Sequence, residues 1–209
     1  MAINFGTAGM PHAAAGNTVE ALAVVRQLGL DAMEMSFTHG VQMKEQAALA
    51  VREENKKHNV VLSVHAPYYI NLNSVEKEKI AASKFRIFES TRIGSLAGAE
   101  AIVFHPGFYG KDSKQKTMET IEHGIREILD KMEAEKIPSV LAPETTGKHT
   151  QFGNLDELLE IRSRIKGLGI CVDFSHLHAR ENGCLKTKED FAKKFEIIAG
   201  YDKSLLKKL

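Results

Sequence analysis

The chain has 209 residues, of which 43% are hydrophobic and 26% charged, and its formal net charge is +1. This length can bury a core and predicts one domain over residues 1–209. No apolar run reaches the roughly 18 residues that cross a bilayer, and the first residues lack a secretory signal pattern. The near-neutral charge gives no argument for nucleic-acid binding from bulk electrostatics alone. Two cysteines outside a CxxC motif favour a reduced, cytoplasmic protein without a membrane partner.

Short apolar stretches alternate with helical patterns along the whole chain. The predicted strands are 3–5, 32–37, 60–65, 101–105, 139–144 and 169–174. The predicted helices run from a cap at Asn17 or Thr18 to Gly29, then over 42–58, 75–97, 114–136 and 155–165, and from 188 to the end with a break near Gly200. Each strand with the helix that follows it makes one β/α unit, so the sequence predicts six units.

The strands are short and apolar rather than alternating, which is typical of a parallel sheet covered on both faces. Alternating strands and helices indicate an α/β fold. Residues 6–11 carry no Gly-rich nucleotide fingerprint, and polar side chains follow many successive strands, which favours a TIM-type (β/α) barrel over a doubly wound sheet. Such a barrel has eight units. We therefore expect a C-terminally incomplete barrel of about six units, whose open edges self-association could cover.

Potential metal ligands follow four successive predicted strands: His65, His105, Glu144 and Asp173, with His176 shortly after. The carboxyl ends of barrel strands carry the chemistry of this fold. Two imidazoles and a carboxylate suit zinc and leave a position for water, whose pKa zinc lowers to roughly 7. Each residue alone fits a structural role, a hydrogen-bonded histidine or a helix-capping carboxylate. Their arrival at the same strand end favours a metal site.

The sequence around these residues resembles the endonuclease IV family, within the xylose-isomerase-like barrels. The matching stretches are His-Ala-Pro-Tyr-Tyr-Ile-Asn-Leu at 65–72, Phe-His-Pro-Gly at 104–107, Pro-Glu-Thr-Thr-Gly at 143–147 and Val-Asp-Phe-Ser-His at 172–176. The resemblance implies a zinc-dependent DNA-repair hydrolase that cleaves the phosphodiester 5′ to abasic sites in double-stranded DNA, as in base excision repair. It covers essentially the whole chain.

The resemblance also implies a role for each matching residue in a site of up to three zinc ions. His65 and His105 would bind the first zinc, and Glu144 would bridge two ions as the catalytic carboxylate. Asp173 would belong to the second zinc and His176 to the third. Two further residues would contact DNA: Tyr68, which matches an aromatic residue that holds distorted DNA, and His39, in the loop after the second strand.

The chain departs from the family pattern at three places. Thr145 stands where the family usually has Asn, and the loop over 37–41 differs from the loop that inserts a basic residue into the duplex. The family's remaining zinc ligands lie on the last two strands, beyond residue 209. We therefore expect one or two zinc ions here, and little or no nuclease activity from the 209-residue chain.

Two other functions are compatible with the same pattern. The first is a sugar isomerase or epimerase of the same barrel superfamily, whose sites are richer in carboxylates and suit Mn²⁺ or Mg²⁺. The second is a non-catalytic remnant that binds DNA or a partner. The two-histidine, one-carboxylate set argues against the first, whereas the missing ligands favour the second.

Overall fold

The structure is a computed structural model that describes residues 3–14 and 16–207. Its strands are β1 (Gly6–Ala8), β2 (Ala32–Ser36), β3 (Val61–His65), β4 (Ala101–Phe104), β5 (Gly107–Phe108), β6 (Val140–Pro143) and β7 (Gln151–Phe152). Its α-helices are α1 (Thr18–Gln27), α2 (Glu45–His58), α3 (Lys77–Ala97), α4 (Lys114–Ala134), α5 (Leu155–Arg164), α6 (Phe174–Arg180) and α7 (Lys188–Tyr201), and a 3-10 turn covers Leu205–Lys207.

The main sheet has five strands in the order β1-β2-β3-β4-β6. The first four pair in parallel, with Gly6 opposite Ala32, Ala32 opposite Val61 and Ser63 opposite Ala101. Strand order follows chain order throughout, so each helix returns the chain to the next position along the sheet. This arrangement is that of TIM barrels, whereas a doubly wound sheet reverses its order at a switch point.

The chain divides into two compact units, and the described part of the first comprises 3–14, 16–68, 85–104 and 130–140. Its core contains buried side chains from the first four strands and from the helices after them, including Leu22, Val25, Met33, Val51, Leu62, Val64, Ile87, Ile93, Ile102 and Phe104. Helix α3 packs closely on the sheet at Gly94, where an added Cβ would lie 2.8 Å from Ile102 and 2.9 Å from Val64. A larger residue at 94 would therefore push α3 off strands β3 and β4.

The described part of the second unit comprises 69–84, 105–129 and 141–207. Its core includes Ile70, Leu72, Ile121, Ile125, Leu141, Phe152, Leu158, Leu159, Ile161, Leu177 and Ile198. A two-residue antiparallel pair joins β5 to β7, with Gly107 opposite Phe152. Gly107 has φ +146°, and a Cβ there would lie 2.5 Å from Asn71 Oδ1, so the turn after His105 requires glycine.

Three predicted boundaries differ most from the structure. The first strand lies at Gly6–Ala8 rather than 3–5, since Gly6 packs so tightly on Ala32 that an added Cβ would lie 2.3 Å from its carbonyl oxygen. Helix α2 begins at Glu45 rather than 42. The predicted strand 169–174 is reduced to one parallel bridge between Glu144 and Cys171, because α6 already begins at Phe174.

The α/β architecture with a parallel sheet is confirmed, and the single domain over 1–209 stays a prediction. Strands β5 and β7 were not predicted. Within 3–14 and 16–207, no helix is both long enough and apolar enough to span a bilayer.

Candidate metal centre

Glu144 follows β6 directly, and backbone hydrogen bonds fix its place in the second unit. The amide of Cys171 donates to the carbonyl of Pro143 (3.0 Å), and the amide of Thr145 donates to the carbonyl of Cys171 (3.0 Å). This short ladder holds Glu144 beside residue 171 at the carboxyl end of β6. The Glu144 side chain is 8% exposed, so its carboxylate is largely removed from water.

His105 is in direct contact with the Glu144 carboxylate. It follows β4, and its Nε2 lies 2.6 Å from Glu144 Oε2. Only 13% of the His105 side chain is exposed. Its ring stands edge-on to the ring of His176, with 5.3 Å between the centroids. His105 and Glu144 are therefore adjacent potential ligands, and His176 belongs to the same cluster.

Asp173 and His176 come from the start of helix α6. Asp173 is the N-cap residue, and its Oδ1 accepts a hydrogen bond from the His176 amide (2.8 Å). The other carboxylate oxygen, Oδ2, lies 3.6 Å from His176 Nδ1. Asp173 therefore caps α6 with Oδ1, and its Oδ2 faces the other potential metal ligands.

Thr145, which follows Glu144, bonds the backbone of the N-cap residue Asp173 and the imidazole of His176. Its hydroxyl accepts from the Asp173 amide (2.8 Å) and donates to the Asp173 carbonyl (3.1 Å). Its carbonyl oxygen lies 2.8 Å from His176 Nδ1. Because a carbonyl only accepts, this contact places the imidazole proton on Nδ1 and the lone pair on Nε2. Sequence reasoning noted Thr145 only as a departure from the family pattern and missed this linking role.

These side chains form a group that could hold a metal ion. Ligand atoms of Glu144, Asp173 and His176 all lie within 4.8 Å of one another, and His105 touches Glu144. Two carboxylates give the group a charge of −2 when both histidines are neutral, which favours a divalent cation. Imidazole nitrogen combined with carboxylate oxygen suits zinc, so the donor set fits the predicted metal.

The other three predicted site residues lie in the first unit. His65 ends β3 and is buried, and its Nδ1 lies 2.7 Å from the carbonyl oxygen of Ala66. Tyr68 is 54% exposed, and its ring stands edge-on to that of His65 at 5.0 Å. His39 is exposed in the turn after β2 and lines a cavity of about 470 Å³ together with Met10 and Thr38.

A family model described as "Xylose isomerase-like TIM barrel" matches residues 22–205. The chain belongs to this family. The predicted TIM-type fold and the resemblance to endonuclease IV proteins are therefore confirmed.

The chain is similar in sequence to an uncharacterised protein and to proteins named as endonucleases. An uncharacterised protein of Methanocaldococcus jannaschii is 43% identical over 93% of this chain and 69% of its own length. A protein named "Probable endonuclease 4" of Aster yellows witches'-broom phytoplasma is 30% identical over 79% of this chain and 57% of its own length. The chain thus spans less than two thirds of that endonuclease 4 relative.

Solved structures of two enzyme classes share the fold. Endonuclease IV from Thermus thermophilus superposes with a TM-score of 0.68 at 22% identity, covering 85% of this chain and 65% of that one. D-Psicose 3-epimerase from Clostridium cellulolyticum gives 0.70 at 13% identity, covering 93% and 70%. The same fold is therefore found in an endonuclease IV and in a sugar epimerase, and fold alone does not choose between these activities.

A buried hydrogen-bond network, which sequence reasoning also missed, surrounds the loop after Glu144 in this family member. The Tyr109 hydroxyl donates to the Glu157 carboxylate, with distances of 2.7 and 2.8 Å to its two oxygens. The hydroxyl also accepts from the guanidinium of Arg180 (3.1 Å). Arg180 and Glu157 look like solvated helix charges in the sequence, so no local pattern indicates that they are buried partners.

We expect Tyr109 to titrate far above an ordinary tyrosine. Burial is the main cause that raises its pKa above 10.0, and the hydrogen bond to Glu157 adds to it. A raised folded-state pKa means that the contribution of Tyr109 to stability is complete below pH 10 and is lost as the pH rises through the folded value. The chain has no Trp, so phenolate absorbance can be followed without indole overlap.

The measurement is the difference in phenolate absorbance between the parent protein and Tyr109→Phe. The difference should stay near zero as the pH passes 10. One phenolate forming near pH 10 in the difference spectrum would contradict the expectation.

Proposed function

We propose that this protein is a zinc-dependent phosphodiesterase of the endonuclease IV type that acts on double-stranded DNA at abasic sites. The observation that carries the proposal is the clustering of Glu144 with His105, Asp173 and His176 at the ends of successive β/α units. The names of the endonuclease 4 relatives support a DNA substrate. We propose these four residues as zinc ligands.

We propose His65 as a further ligand, because of its place in the sheet. It pairs in register with Val103 on the neighbouring parallel strand β4, and His105 follows that strand two residues later. Carboxyl ends of parallel strands share one edge of a sheet. The contact of Nδ1 with the Ala66 carbonyl would keep the proton on that nitrogen and the lone pair on Nε2.

Bound zinc supplies Lewis-acid chemistry: it acidifies water and stabilises negative charge on a phosphate. The protein's own part is to hold anionic and imidazole donors in a partly dry site, where electrostatic interactions are stronger than in water. The Glu144 carboxylate lies deepest among these donors, so we propose it as the catalytic carboxylate. The Thr145 carbonyl keeps the His176 ring oriented by holding its Nδ1.

We propose Tyr68 and His39 as DNA contacts. Tyr68 presents an exposed aromatic ring next to the candidate ligand His65, and exposed aromatic rings stack on unpaired bases or sugars. His39 is exposed in the turn after β2. A cytoplasmic location fits a DNA-repair role and is proposed with it.

The test measures zinc binding and lesion preference together. The metal-stripped 209-residue chain is titrated with zinc, and its affinity for a duplex with one abasic analogue is compared with that for the intact duplex. We expect one or two zinc ions per chain and a zinc-dependent preference for the abasic duplex, with incision weak. A chelator should abolish the preference, and added zinc should restore it.

Two outcomes would contradict the proposal. The first is zinc binding without any preference for the abasic duplex. The second is Mn²⁺-dependent epimerisation of D-psicose or D-tagatose, which would favour the sugar isomerase or epimerase alternative.

A further inference from the structure

We propose that Arg180 is a positioning residue for the candidate metal centre. Its guanidinium holds the segment 146–151, which follows Glu144, against helix α6, which carries His176 and is capped by Asp173. The inference rests on the proposed metal site and concerns how its two halves stay in register. The hydrogen bonds that Arg180 donates go to Thr146, Lys148, Gln151 and Tyr109, so we infer that it acts on the ligands indirectly.

One end of the guanidinium holds the loop. Arg180 is only 6% exposed, and its NH1 lies within hydrogen-bond distance of four acceptors. These are the carbonyl (3.2 Å) and hydroxyl (3.1 Å) of Thr146 and the carbonyls of Lys148 (2.8 Å) and Gln151 (3.0 Å). Carbonyls that converge on one cation fix the path of the backbone between residues 146 and 151.

The other end of the guanidinium reaches the Tyr109 network. NH2 donates to the Tyr109 hydroxyl (3.1 Å), which donates onward to Glu157. Glu157 also accepts from the amides of Gly153 and Asn154 (3.1 and 3.0 Å). The buried cation is therefore connected to a buried anion through one hydroxyl, and that anion holds residues 153 and 154, just after the loop.

Helix α6 needs such an anchor because it has only seven residues, and a helix of this length is marginal without tertiary contacts. Thr145 bonds its first turn through Asp173 and His176. Arg180, its last residue, bonds the segment after Thr145. His176 and Arg180 are four residues apart and so share a helix face. Loop and helix are joined at both ends, and the proposed ligands lie at the first join.

The test compares Co²⁺ binding by the parent chain and Arg180→Met at a temperature where circular dichroism shows both folded. Met keeps the length of the apolar stem and removes every donor. Loss of residues that orient metal ligands costs about 10- to 100-fold in metal affinity, so we expect a loss in that range and an altered visible Co²⁺ spectrum. Arg180→Lys should fall between, because an ammonium cannot reproduce the planar fork.

Arg162→Met is the matched control. Arg162 is a part-buried arginine of α5 in the same unit, with its NH2 3.5 Å from Asp202 Oδ2. The Arg162→Met variant should bind Co²⁺ with the affinity and visible spectrum of the parent chain. If Arg180→Met also keeps parent affinity and spectrum, the inference is wrong and the proposed metal site stands. If Arg180→Met does not fold, Arg180→Lys, whose ammonium cannot bond the loop carbonyls and the Tyr109 hydroxyl with a planar fork, is measured in the same way, and unchanged affinity and spectrum overturn the inference.

One result would contradict the proposed function and still leave the inference about Arg180 to be tested. If the parent chain binds no Co²⁺, amide hydrogen exchange at Thr145 and His176 in the metal-free protein decides the inference. Faster exchange at both amides in Arg180→Met, with parent rates in Arg162→Met, supports it. Equal rates in all three proteins overturn it.

Discussion

Glu144→Gln should bind zinc at least about 100-fold more weakly than the parent protein, since losing even a group that only orients a ligand costs 10- to 100-fold. The Glu144 carboxylate contacts His105 and also lies with Asp173 and His176. An amide of the same shape lacks the anionic oxygen that a divalent cation prefers. Isothermal titration against a competing chelator measures the affinity.

The free energy of unfolding of Glu144→Gln shows whether weaker zinc binding comes from the loss of a ligand or from a loss of folding. The Glu144 carboxylate is buried near the carboxylate of Asp173, and two such charges repel each other when no cation lies between them. The free energy of unfolding of metal-free Glu144→Gln should therefore be at or above that of the parent protein.

At a zinc concentration above the dissociation constant of the parent chain and below that of the variant, zinc should raise the melting temperature of the parent chain and leave that of Glu144→Gln nearly unchanged, because stabilisation depends on the ratio of zinc concentration to dissociation constant. Glu78→Gln, on the first turn of α3, is the control and should behave like the parent chain. An equal zinc-induced shift in Glu144→Gln would exclude Glu144 as a ligand.

The strand-end side chains were predictable because a parallel strand leaves a short apolar run in the sequence. His105 and Glu144 each follow such a run directly, and the fold places all those ends together. The first strand was misplaced because Ile3 and Phe5 are apolar but exposed. Its true position depends on the close approach of Gly6 to Ala32, which no local window of sequence contains.

The supporting contacts were not predictable, since they join residues far apart in sequence. Thr145 bonds Asp173, which is 28 positions away, and Arg180 bonds Thr146, which is 34 positions away. Either side chain alone looks like an ordinary surface residue. Strands β5 and β7 have two residues each, too few to produce a periodic pattern. The sequence thus indicates the candidate ligands, whereas only the fold shows what holds them.

Asp173 allows its two roles to be separated by a pair of substitutions. Asn is as good an N-cap as Asp, so Asp173→Asn should keep the hydrogen bond to the His176 amide. Its free energy of unfolding should be within about 1 kcal/mol of that of the parent protein. It loses the anionic oxygen, so its zinc affinity should fall by at least about 10-fold. Chemical denaturation measures the free energy of unfolding, and zinc titration of the same protein preparation measures the affinity.

Asp173→Ala removes the cap as well and should lose about 1 kcal/mol of stability in addition to the zinc affinity. The comparison of the two variants decides the role of Asp173. If Asp173 only caps the helix, Asp173→Ala should lose stability and Asp173→Asn should match the parent protein in both stability and zinc affinity. Parent-like zinc affinity in Asp173→Asn would assign Asp173 to the helix alone. The cluster would then keep His105, Glu144 and His176, a set with one carboxylate and two imidazoles, which still matches a zinc site open to water.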